Sequence, residues 1–242
     1  MDVQAMNTQY SLIIPCYNEA KTLPALLNRL FECYASQTAY EIILVDNGST
    51  DNSAIILADA AAHMPFLRIV RVEVNQGYGW GILQGLAAAQ GAYLGWTHAD
   101  MQTDPGDALQ GFAKLESLGM PLAFVKGRRY GRPLADVFFT VGMSCFDSAL
   151  FILPLWDINA QPTLFTRAFY DMWHNPPADF ALDLFAYATA AKHKITIARF
   201  PVLFGKRQHG VSHWNVNWAA KLKFIKRTMD FSFTLKRSWR QR

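Results

Sequence analysis

Charge and cysteine are both scarce in this chain of 242 residues. Only 17% of the side chains are Asp, Glu, Lys or Arg, against 51% hydrophobic and 14% aromatic. Such a composition buries enough apolar surface to fold, which excludes an intrinsically disordered protein. The three cysteines, Cys16, Cys33 and Cys145, form no C-x-x-C pair and have no His at metal-ligand spacing. Neither a disulfide framework nor a structural zinc site is expected, and a reducing compartment is the simplest reading. An unbroken membrane-spanning run is also missing. The best candidate, residues 137–156, contains Thr140, Ser144, Asp147 and Pro154, and a central Asp alone costs about 2.5–3.5 kcal/mol on insertion. A buried or membrane-edge helix is expected there instead. Residues 1–10 include Asp2 and no apolar core, unlike a secretory signal. From residue 199 onward acid is nearly absent: 11 Lys and Arg face Asp230 alone, net +10, whereas residues 1–198 carry 12 basic and 18 acidic side chains, net −6. An acidic body with a basic end suits phosphates, an anionic lipid surface or nucleic acid.

What is present is an alternation. Residues 11–15 and 40–45 are short apolar runs, and between them Leu23, Leu26, Leu27, Leu30 and Phe31 recur at helical spacing, which predicts a βαβ unit. A helix over 52–62, a strand over 67–74, a Gly-rich turn over 75–81, a helix over 82–90 and a strand over 92–96 follow. The order then loosens into a helix over 105–118, a short strand over 123–125, the apolar helix 137–156, a late strand over 195–202 and a basic helix or helix pair over 221–242. Alternation of this kind predicts an α/β fold whose mostly parallel sheet carries helices on both faces, with ligands at the carboxyl ends of the strands. No repeat and no Pro/Gly/Ser linker divides the chain, so one domain over 1–215 with a basic amphipathic tail over 216–242 is the expected organisation.

Two acids, Asp46 and Asp100, each follow an apolar strand. Either one alone could be a turn-former or helix cap. Asp100 is followed two residues on by Gln102, and Asp-x-Gln in an extended loop offers oxygen ligands to a hard divalent cation holding a diphosphate. His98 is a third ligand, a hydrogen-bonding group or a half-buried loop histidine.

Ile13-Ile14-Pro15-Cys16-Tyr17-Asn18-Glu19, Ile43-Leu44-Val45-Asp46-Asn47-Gly48-Ser49-Thr50-Asp51, Asn75-Gln76-Gly77-Tyr78-Gly79 and His98-Ala99-Asp100-Met101-Gln102-Thr103-Asp104-Pro105, in that order, resemble family 2 glycosyltransferases of the GT-A fold. The pattern leans toward the dolichyl- and polyprenyl-phosphate mannosyltransferase type and covers about residues 9–215. The resemblance implies a Rossmann-like sheet and a nucleoside diphosphate sugar donor. Pro15, Tyr17 and Glu19 would border the base and ribose, Asp46 would contact the base, and Gly77, His98 and Ala99 would line the donor site. Asp100 and Gln102 would bind Mg²⁺ or Mn²⁺ with the diphosphate. Here His98 replaces the first acid of the metal motif, which weakens the site or favours Mn²⁺, and Asn47 replaces a second acid. The segment 126–130 resembles the family's Gly-x-Arg stretch, with Arg128 as the matching arginine. Arg207 would contact the diphosphate, and His213 stands where the family has Lys. A departing nucleoside diphosphate gains negative charge and needs such cations beside it.

On the acceptor side, Asp157, Asp179 and Asp183 are the candidate general bases for a sugar hydroxyl, and each could equally be a turn or helix cap. A lipid phosphate needs no base, because it is already ionised. Lys221, Lys223, Lys226, Arg227, Lys236, Arg237, Arg240 and Arg242 alternate with Trp218, Phe224, Phe231, Phe233 and Trp239, which suits an anionic membrane surface. Nucleic acid is not expected, since the strand-end acids repel a polyanion. The leading expectation is an inverting, metal-dependent transferase acting on polyprenyl phosphate, peripheral at the cytoplasmic face of the membrane, with Asp100, Asp157, Arg128 and Arg207 as its catalytic group. A glycan hydroxyl acceptor and a non-catalytic nucleotide-sugar binder are the alternatives, and a homo-oligomer or membrane partner is left open.

Overall fold

The computed structural model describes residues 8–205 and 218–240. Its first half is the expected alternation: β1 (Tyr10–Cys16), α1 (Leu23–Tyr34), β2 (Tyr40–Asn47), α2 (Ser53–His63), β3 (Leu67–Val72), α3 (Tyr78–Ala88) and β4 (Tyr93–Trp96). The second half runs α4 (Asp107–Ser117), β5 (Ala123–Tyr130), α5 (Leu134–Phe151), β6 (Thr163–Thr166), α6 (Arg167–Tyr170), α7 (Leu182–Lys192), β7 (Thr196–Leu203) and α8 (Trp218–Arg240).

One seven-stranded sheet has the order β3-β2-β1-β4-β6-β5-β7. All neighbours are parallel except β6, which runs antiparallel to both β4 and β5. Strands buried on both faces read as continuous apolar runs. Leu12, Ile14, Ile42 and Leu44 enter the core layer with Leu26, Leu30, Leu57 and Phe112, whereas Ile13, Ile43 and Val45 enter the opposite layer with Ile82, Leu86, Trp96 and Phe165. In α3 the lack of a side chain at Gly85 lets the helix lie close to the sheet: a Cβ there would run into the Ile13 side chain.

Several expected boundaries move. α3 begins at Tyr78, inside the expected turn. α5 covers 134–151 rather than 137–156, and ends where Ile152 takes a left-handed conformation (φ 58°) two residues before Pro154. Strand β6 was not anticipated: four residues behind Pro162 leave no periodicity to read. No described helix is long and apolar enough to cross a membrane. All three cysteines are free thiols. α8 is packed on α5 rather than detached. Ser232 Oγ donates to Asp147 Oδ1 at 2.7 Å, and Phe151 and Trp239 meet with ring centroids 5.0 Å apart.

Candidate active site

The carboxyl ends of β1, β2 and β4 lie along one edge, because these strands are parallel neighbours and Cys16 is in register with Asp46. The loop after β1 is fastened to the loop after β2. Asn18, in the left-handed region that Asn tolerates (φ 54°), accepts from the Thr50 N–H at 2.8 Å and the Asp51 N–H at 3.3 Å. The Glu19 N–H donates to Ser53 Oγ at 2.9 Å, and the Ala20 N–H to Asp51 Oδ2 at 3.2 Å. Pro15 and Glu19 are half-buried and Tyr17 is exposed on this rim. Asp46 Oδ1 accepts from the Ser49 N–H at 3.0 Å. The residue is 1% exposed, and its Oδ2 is buried without a hydrogen-bond partner.

Asn47 earns its place structurally. Its Nδ2 donates to Gly77 O at 2.9 Å, and the Gly77 N–H donates to Asn75 Oδ1 at 2.8 Å, so an amide here fixes the loop after β3 where a carboxylate could not donate. Gly77 (φ 111°) and Gly79 allow the backbone of Ala178 and Asp179 to approach the start of α3: added Cβ atoms would meet it at 2.9 and 2.5 Å. The Trp80 N–H donates to Ala178 O at 2.8 Å across this contact.

Beyond β4, the Thr97 N–H still pairs with Ile13 O at 3.0 Å. His98 is half-buried, Ala99 buried, and Asp100 8% exposed. Asp100 Oδ1 accepts from the Gln102 N–H at 3.1 Å, closing a turn around Met101 (φ 57°). Gln102 is tied to the end of the β7 segment: its carbonyl accepts from the Gly205 N–H at 2.7 Å, and its Nε2 donates to Gly205 O at 3.4 Å. Arg207 and His213 lie outside the described residues.

The opposite part of the edge is dominated by buried charge. β6 places Thr163 level with Trp96 of β4 and with Lys126 of β5. Lys126 is 0% exposed, its Nζ reaching Thr163 Oγ1 and, at 3.4 Å, Asp183 Oδ1. Burial lowers its pKa to about 8, partly offset by Asp183. Gln161 Nε2 also donates to Asp183 Oδ1 at 2.8 Å. Asp157 accepts from the Arg129 N–H at 3.0 Å and from Arg129 Nε at 2.9 Å, with Arg132 and Arg199 also within 4.0 Å. Burial alone would raise the Asp157 carboxyl, but Arg129 and Arg132 overcome it and hold it below the ordinary range. Asp179 Oδ1 accepts from the Ala181 N–H at 2.9 Å, and its Oδ2 faces Arg227 Nε at 3.6 Å.

The structure therefore gathers Pro15, Tyr17, Glu19, Asp46, Gly77, His98, Ala99, Asp100 and Gln102 along one rim. Arg128 is exposed, whereas the adjacent Arg129, the residue that Gly127-x-Arg spacing itself selects, turns to Asp157. Lys126, Gln161 and Tyr78 were missed as interacting residues. Lys126 stood within a recognised segment, but only the sheet register brings it beside Thr163 and Asp183.

A family model described as "Glycosyl transferase family 2" matches residues 11–149. The chain belongs to glycosyltransferase family 2, and its fold is GT-A. It is 42% identical over 98 residues to undecaprenyl-phosphate 4-deoxy-4-formamido-L-arabinose transferases of Sodalis glossinidius and Yersinia pestis, a stretch covering 39% of this chain and 30% of each relative. Among solved structures it is similar to glucosyl-3-phosphoglycerate synthase from Mycobacterium tuberculosis with Mn²⁺ and UDP, at TM-score 0.69 and 15% identity over 95% of this chain and 80% of that one. It is also similar to a mannosyltransferase from Pyrobaculum calidifontis with GDP-Man and Mn²⁺, at TM-score 0.62 and 20% identity over 85% and 59%.

Proposed function

We propose that this glycosyltransferase is an inverting, metal-dependent enzyme that moves a sugar from a nucleoside diphosphate to a polyprenyl phosphate at the cytoplasmic face of a membrane. The base and ribose are assigned to the rim of Pro15, Tyr17, Glu19 and Asp46, and the diphosphate to the loop from His98 to Gln102. Among the described residues no three His, Cys, Asp or Glu side chains form a metal cluster. One carboxylate, Asp100, and one amide oxygen, Gln102, make too few ligands for a self-sufficient cage but fit a Mg²⁺ or Mn²⁺ that shares its shell with substrate phosphates. When bound, such an ion neutralises charge on the departing diphosphate. Arg207 is assigned the same task from the late basic segment.

The observation that carries the acceptor reading is the engagement of all three candidate bases. Asp157 is bound by arginines, Asp183 by Lys126 and Gln161, and Asp179 by the Ala181 N–H and Arg227. An acceptor that brings its own negative charge needs no proton removed. A phosphate oxygen attacks the anomeric carbon opposite the diphosphate, its bond to carbon forming as the carbon–diphosphate bond breaks, and the configuration inverts. Asp157 then acts as an anchor for Arg129 and Arg132 rather than as a base. The curated relatives are named for transfer involving undecaprenyl phosphate, in keeping with this acceptor.

Membrane attachment is assigned to two faces. α5 exposes Leu134 (86%) and Phe138 (83%), with Ile152 and Trp156 exposed just beyond it. α8 carries seven Lys and Arg against Asp230. Bulky apolar side chains beside a basic helix fit the headgroup layer of anionic lipid.

The test is transfer from UDP- and GDP-sugars to undecaprenyl phosphate in anionic mixed micelles, with Mn²⁺ and with chelator. An acid-labile glycosyl phosphate formed only with metal is expected. A product stable to mild acid would move the acceptor to a glycan hydroxyl, and absence of transfer from every donor would reject the reading.

A further inference from the structure

Three flat side chains are piled beside the carboxyl end of β4. The Tyr78 ring lies 5.3 Å from the His98 imidazole and 15° from parallel, and 4.8 Å from the Phe180 ring and 10° from parallel. Arg227 of α8 sits over the Phe180 ring at 5.8 Å. Tyr78 is itself held. Its Oη accepts from Gln161 Nε2 at 3.4 Å, and the same amide donates to Asp183, which pairs with Lys126. Lys126, Gln161, Thr163 and Asp183 are all buried. The close backbone approach of 178–179 to Gly77 and Gly79 sets Phe180 in place against the ring.

An acid and an imidazole make different demands at position 98. The two oxygens of a carboxylate are equivalent acceptors, whereas a neutral imidazole has a proton on one nitrogen and a lone pair on the other, so its use depends on ring orientation. A loop side chain loses rotamer freedom when it is ordered, and a ring packed in advance against a buried platform has already lost it. We propose that Tyr78 is a positioning residue of the nucleotide-sugar site. Its ring sets the His98 imidazole beside the Asp100–Gln102 loop, and the buried Lys126–Asp183–Gln161 group holds Tyr78. Asp183 is thereby a strut. This deepens the donor-site reading and rests on it.

The experiment compares the full chain with Tyr78→Phe, Tyr78→Leu and the double variant Lys126→Met/Asp183→Asn, which removes both buried charges together. The His98 Cε1 proton resonance, assigned by its loss in His98→Gln, is expected to be displaced by the neighbouring ring in the wild type and, to a lesser degree, in Tyr78→Phe, which keeps the ring but loses its bond to Gln161. In Tyr78→Leu it moves toward the resonances of exposed His63 and His174, and in the double variant it moves the same way. Titration with UDP and with GDP in Mn²⁺ is expected to be about tenfold weaker for Tyr78→Leu and within about threefold of wild type for Tyr78→Phe, the range seen when a supporting side chain is lost. A lowered melting midpoint with unchanged His98 resonance and unchanged nucleotide affinity would make Tyr78 a packing residue and overturn the proposal. If the wild type binds neither nucleotide, the donor reading falls first and the positioning role falls with it, while a displaced His98 resonance would then report a structural stack alone.

Discussion

Around β1, β2 and β4 the loops are fastened mainly by neutral groups, Asn18 to the Thr50 and Asp51 amides and Asn47 to Gly77, whereas around β5, β6 and β7 the fastenings are buried charges, Asp157 with three arginines and Asp183 with Lys126. Neutral pins add roughly 1 kcal/mol each. Buried ion pairs are costly to assemble and costlier to break, since a lost partner strands the other charge. On the function proposed above, the first arrangement suits a rim that accepts a charged ligand and a metal, and the second a rigid wall against which an acceptor is placed.

The contrast breaks most visibly at Asp100. Replacing it with Ala is expected to reduce turnover by at least about 10²–10³-fold, the scale of losing one transition-state charge contact, with the melting midpoint nearly unchanged; activity assay and calorimetry on one sample read both. Asp157→Ala should do the reverse in stability. Stranding Arg129 and Arg132 is expected to cost about 3–5 kcal/mol, measured by urea unfolding, and a fully stable variant would deny the wall its role.

A third probe sits where α8 meets α5. Burial raises Asp147 to about 6, the Ser232 bond offsetting part of the shift. A carboxyl raised on folding holds its proton more tightly in the native state, so stability is greatest below the unfolded value near 4 and falls as pH rises through about 6. Asp147→Asn should therefore leave stability unchanged near pH 4 and add about 2 kcal/mol at pH 7, read from unfolding at both pH values. The smallest effect expected is on α8: Arg237→Ala, at an exposed position, should weaken binding to anionic vesicles by about 1 kcal/mol, the loss vanishing in high salt.

The same contrast governs what the sequence revealed. The strand-end rim proposed for the donor could be read locally because its residues, Pro15 to Glu19, Asp46 and Asp100 to Gln102, sit at strand ends in short contiguous motifs. The wall could not. Lys126, Thr163 and Asp183 are far apart in the chain and meet only through the antiparallel insertion of β6 between β4 and β5. Helix α7, buried on every side, has no polar face to mark its period. Of the adjacent cations Arg128 and Arg129, the Gly127-x-Arg spacing already selects Arg129, and its burial agrees.

Metal-dependent nucleotide binding tests the central claim most directly. Thermal-shift measurements with UDP and with GDP, with and without Mn²⁺, should show the midpoint of the wild type rising with one nucleotide only when metal is present, because a ligand that binds the native state stabilises it according to its affinity. Asp100→Asn should abolish that rise. An equal rise without metal, or in Asp100→Asn, would contradict a donor site built on Asp100 and Gln102.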